Sequence, residues 1–85
     1  LEVYKGVTVF NGPIEAFGST MNCKILRQMN GIKARFLVVI SKSNNHKATE
    51  YIFTNESGLW IADGAIHVSL YISLVTILDT NKFDE

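Results

Sequence analysis

The stretch "PIEAFGSTMNCKILRQMNGIKARFLV", Pro13 to Val38, decides the fold, because it reads either as a helix leading into a strand or as two strands around a turn. On a helix, Ile14, Phe17, Met21, Ile25 and Met29 form one stripe at three- and four-residue steps. Pro13 suits the first helical position, Glu15 the first turn, and Asn30-Gly31 the end. "GSTMNC" is poor helix material, which a break near Gly18 with Ser19 as cap would accommodate. The other reading makes Asn30-Gly31 a two-residue hairpin turn. It pairs Met29 with Ile32, Ile25 with Phe36 and Cys23 with Val38. It also turns Arg27 into the apolar face, an uncompensated charge costing several kcal/mol. The helix is preferred on that ground.

Working outward, "EVYKGVTVF" alternates with β-branched residues and reads as a strand stopped by Asn11-Gly12-Pro13. "IKARFLVVISKS" is a strand, Asn44-Asn45 a tight turn, and "KATEYIFTN" the returning strand. "ESG" reads as a three-residue loop with Gly58 in the left-handed position. "LWIA" is a short strand, Asp63-Gly64 another tight turn, and "AIHVSLYISLVTIL" alternates through Leu78. The expected class is α+β: one N-terminal strand, one helix, then a four-strand antiparallel meander. The alternative is an all-β small barrel with a hairpin at Asn30-Gly31. Residues 1–85 are read as a single domain.

Turn lengths then assign faces. They put Phe36 opposite Phe53, Val38 opposite Tyr51, Ile40 opposite Thr49, Phe53 opposite Ile61, Ile61 opposite Ile66 and Leu59 opposite Val68. The expected core face is therefore Phe36, Val38, Ile40, Tyr51, Phe53, Leu59, Ile61, Ile66, Val68, Leu70 and Ile72. Trp60 falls on the other side with Arg35, Leu37, Val39, Glu50, Ile52, Ala62, His67, Ser69 and Tyr71. A water-facing sheet side should be polar, and this one is mixed. Trp, Tyr and Arg are enriched at binding hot spots. The expected interface is therefore Trp60, Leu37, Ile52, Tyr71, Arg35 and His67, binding a protein partner or a second copy in a homo-oligomer. A small ligand or single-stranded nucleic acid on the same face is the alternative. Barrel closure or a tail folded over this side would remove the surface.

Composition narrows the function classes. Lysine plus arginine number 8 and aspartate plus glutamate 8, so the net charge is zero and gives no footprint for nucleic acid. Lys24, Arg27, Lys33 and Arg35 form the one basic cluster, read as a solvated strip. Cys23 is the only cysteine, so no internal disulfide forms, and one Cys with two His make no zinc site unaided. No cofactor or metal is expected. Ile66 to Leu78 is too short and too interrupted to span a bilayer. No signal peptide is read at the start, and the opening Leu1 is compatible with a fragment. The lone thiol favours the cytoplasm, while the sequon Asn55-Glu56-Ser57 leaves secretion open. His67, Ser69 and Asp63 suggest a nucleophile set only loosely, with no oxyanion hole signalled, so the expectation is a non-enzymatic interaction module.

Overall fold

The computed structural model describes residues 5–42 and 47–83. Pro13–Asn30 is strand, not helix. β1 (Val7–Ala16) and β2 (Ser19–Asn30) form a hairpin closed by Phe17-Gly18, both at positive φ, 55° and 73°. That is the twist-matched turn of tight hairpins. The helical stripe misleads because Ile14, Met21 and Ile25 are inward in either reading. Ala16 and Cys23 discriminate: both are buried, as only a strand requires, while Phe17 and Met29 lie in water.

β3 (Lys33–Lys42) pairs with β2 around a turn at Gly31-Ile32, one residue later than Asn30-Gly31, with Gly31 at φ 67°. The pairs are therefore Met29 with Ala34, Ile25 with Val38 and Cys23 with Ile40. Arg27 does share a face with Phe36, its partner. It is only partly buried and borders an open groove with Lys5, Val7 and Gln28. It stands at the margin of that groove rather than sealed in the core, so the penalty of a fully buried, uncompensated charge does not apply.

β4 (Ala48–Glu56) pairs with β3 in the expected register, Phe36 with Phe53, Val38 with Tyr51 and Ile40 with Thr49. The Asn44-Asn45 turn lies outside the described residues. β5 (Leu59–Asp63) returns through Ser57-Gly58, a two-residue turn at φ 53° and 78°, not the expected three-residue loop. Phe53 thus faces Ala62 rather than Ile61, and every side chain of β5 changes face.

The described strands form an open antiparallel meander in the order β1-β2-β3-β4-β5, not a barrel. The expected last strand is a helix, α1 (Val68–Asn81), which packs on one face of the sheet. Even-numbered Leu70, Leu74 and Leu78 are buried and suit both periods, but Val68 and Ile72, inward in a strand, are exposed. The β-branched composition of this segment is overridden by a layer requirement. Five strands expose an apolar face that needs a second layer, and with Pro13–Asn30 in the sheet this segment supplies it. Hydroxyls of Ser73, Thr76 and Thr80 donate to carbonyls one turn back, which settles their polarity locally.

Candidate functional site

Two sheet faces result. The inner face carries Ile14, Cys23, Ile25, Phe36, Val38 and Phe53, sealed by the three leucines of α1. Trp60 belongs here, 6% exposed, not on the open side as expected. Its ring meets Phe36 edge to face and its indole N–H donates to Asp79 Oδ1 on α1. Tyr71 is also inward: its ring stacks on Phe53 at 5.9 Å and its hydroxyl donates to the Trp60 carbonyl. The indole and the phenol therefore lock α1 to the sheet.

His67 caps α1. Its Nδ1 accepts from the Ser69 amide at 3.2 Å and lies 2.8 Å from the Ser69 hydroxyl. The ring meets Phe17 at 4.9 Å. This is local capping geometry, in which the side chain satisfies one orphan amide of the first turn. Asp63 is the last residue of β5 and makes no contact with this pair among the described bonds.

The outer face keeps the other three expected residues together. Leu37 pairs with Leu26 on one side and Ile52 on the other, and Arg35 pairs with Thr54. Sequence reasoning missed Leu26, because β2 was read as helix, and placed Leu59 and Ile61 inward. The turn Ser57-Gly58 moves both outward, at 64% and 43% exposure. Leu26 and Leu37 are themselves well covered, at 3% and 6%. The accessible apolar surface is thus shifted to the β4–β5 half. There Arg35, Ile52, Thr54, Ile61 and Asp63 line a shallow depression. No aromatic ring lies on the outer faces of the described strands.

Charge chemistry is sparse. Burial pushes the Cys23 thiol up to about 11, so it stays protonated and is a poor nucleophile or ligand. No group of three or more His, Cys, Asp or Glu that could hold a metal occurs among the described residues. No helix among them is long and apolar enough to cross a membrane. Compared with models of protein families, with curated proteins and with solved structures, the chain matches none.

Proposed function

We propose that the chain is a non-enzymatic protein-interaction module that docks a partner, or a second copy, over the β4–β5 half of its outer face. The observation that carries this reading is Leu59 and Ile61 standing in water, Ile61 diagonal to Ile52, on a sheet side that α1 does not cover. Each large apolar side chain left in water forgoes roughly 1.5–3 kcal/mol of burial. Arg35 at the margin supplies a hot-spot residue type with a flat, multi-donor head. Mixed charge around the patch gives orientation rather than bulk attraction. The base-stacking platform that single-stranded nucleic acid needs is supported by no residue of this face.

The setting on this reading is the cytoplasm, where a lone thiol stays reduced. Asn55, the sequon acceptor, pairs with Trp60 in the ladder and is half-buried.

The experiment is retention of binding partners on immobilised chain, compared with Ile52→Lys and Arg35→Glu. Partners held by the native chain and lost with both variants support the reading. Retention indifferent to both substitutions removes it.

A further inference from the structure

We propose that the free side of β5 pairs with β5 of a second copy, antiparallel about Ile61, so that one sheet runs through two chains. This deepens the proposed function, on which it rests, by naming the partner.

Among the described residues the sheet is open, so β1 and β5 each have an unpaired side. Unpaired strand sides are templates for another strand unless they are blunted. β1 is blunted twice. Its register shifts between Thr8 and Phe10, leaving a bulge. Counting from the Ala16–Ser19 pair, alternation turns the backbone groups of Glu15, Pro13 and Asn11 to the free side. Pro13 has no N–H to offer there.

β5 has neither a bulge nor a proline; what touches its free side is the Tyr71 hydroxyl, on the Trp60 carbonyl. Its residues, Leu-Trp-Ile-Ala-Asp, include no proline and no lysine, and its register with β4 is unbroken. Counting from the Glu56–Leu59 pair, Ile61 bonds β4 while Trp60 and Ala62 point outward. An independent contact agrees: the Trp60 carbonyl accepts from the Tyr71 hydroxyl, off the ladder. That carbonyl keeps a second lone pair for an incoming amide.

Three features select a second copy. Pairing about Ile61 sets Trp60 opposite Ala62 of the other chain, so the outward N–H and C=O groups exchange, and Ile61 meets its counterpart on the outer face. This arrangement is isologous and closes, whereas β5 adding to β1 would propagate and is stopped by Pro13. Finally, the flank of α1 that reaches Trp60 through Tyr71 and Asp79 also carries Val68 and Ile72 at helical spacing, both exposed. A second copy brings a matching apolar flank to the same side of the sheet; a lone peptide strand does not. Zero net charge removes bulk repulsion between copies.

The test is sedimentation equilibrium of the full chain over a wide concentration range, with amide exchange on the same samples. A dimer is expected, with Trp60 and Ala62 amides gaining protection as it forms. Leu59 and Ile61 amides, already bonded to β4, stay unchanged. Ile61→Lys should weaken the dimer by about tenfold or more with Trp60 emission unaltered. Asn11→Lys on the β1 side should leave it intact. A chain that is monomeric throughout, or a dimer indifferent to Ile61→Lys, overturns the proposal. A monomer that still binds another protein through Arg35 and Ile52 overturns the edge pairing alone and leaves the docking face standing.

Discussion

The rings of Phe36 and Trp60 meet edge to face, with centroids 5.3 Å apart and planes at 73°. Phe83 approaches the same Phe36 ring at 4.8 Å. An indole so placed is a core anchor. Trp60 emission should be blue-shifted and resistant to acrylamide at every protein concentration. Trp60→Ala should cost about 3–5 kcal/mol of folding stability, as large aromatic truncations in cores do. A red-shifted, freely quenched Trp60 in the folded chain would contradict this placement.

Asp79 and Tyr71 tie α1 to Trp60 by side-chain hydrogen bonds. Asp79→Ala and Tyr71→Phe should each cost about 1 kcal/mol, the usual net value of such a bond. Because both end on one residue, their effects should be less than additive, measured in a double-mutant cycle by urea denaturation. Full additivity would mean that the two ties hold α1 independently.

Much of the sheet is legible in the sequence, and its errors have one source. The pairing of β3 with β4 follows from alternation on both sides of a short turn. The face of β5 does not, because "ESG" fits a two- or a three-residue reversal equally, and one residue of difference exchanges Trp60 for Ile61. The helix was displaced for a similar reason. Met21 and Ile25 satisfy period two and period three-to-four alike, as do Leu70, Leu74 and Leu78, and Ile14 joins Met21 on one face across the Phe17-Gly18 turn as readily as on a helix. Local pattern cannot separate such sets; the need of a five-stranded face for one covering layer does. Arg35, Leu37 and Ile52 were legible as one face because all three lie on the strands whose register was readable.

The Ser57-Gly58 turn holds a non-glycine residue at φ 53°. The left-handed conformation costs an ordinary residue about 1–2 kcal/mol, and asparagine less. Ser57→Asn should therefore stabilise the chain by up to about 1 kcal/mol. Gly58→Ala should destabilise it by about 1–2 kcal/mol through backbone strain alone, because an added Cβ meets nothing within 4 Å. At this size, about 1 kcal/mol moves the melting temperature by roughly 4–8 °C, which calorimetry resolves. A neutral Gly58→Ala would argue for a different loop.

Cys23 carries the clearest pH signature. Its thiol is 1% exposed, and burial holds its pKa at about 11 against an ordinary 9.0. The unfolded chain therefore releases this proton at lower pH than the folded one. Below pH 9 both states keep it and stability is unaffected by this group. Between about 9 and about 11 the unfolded state binds fewer protons, so stability falls as pH rises, by a total on the order of 2–3 kcal/mol. Urea denaturation at pH 8 and pH 10.5, compared with Cys23→Ala, isolates the effect: the native chain should lose more stability than the variant over that interval. The same burial predicts that a thiol reagent labels Cys23 at the rate of unfolding rather than of encounter. Rapid labelling of the folded chain, or equal alkaline losses in both proteins, would show that the thiol is open to water and that the sheet does not close over it.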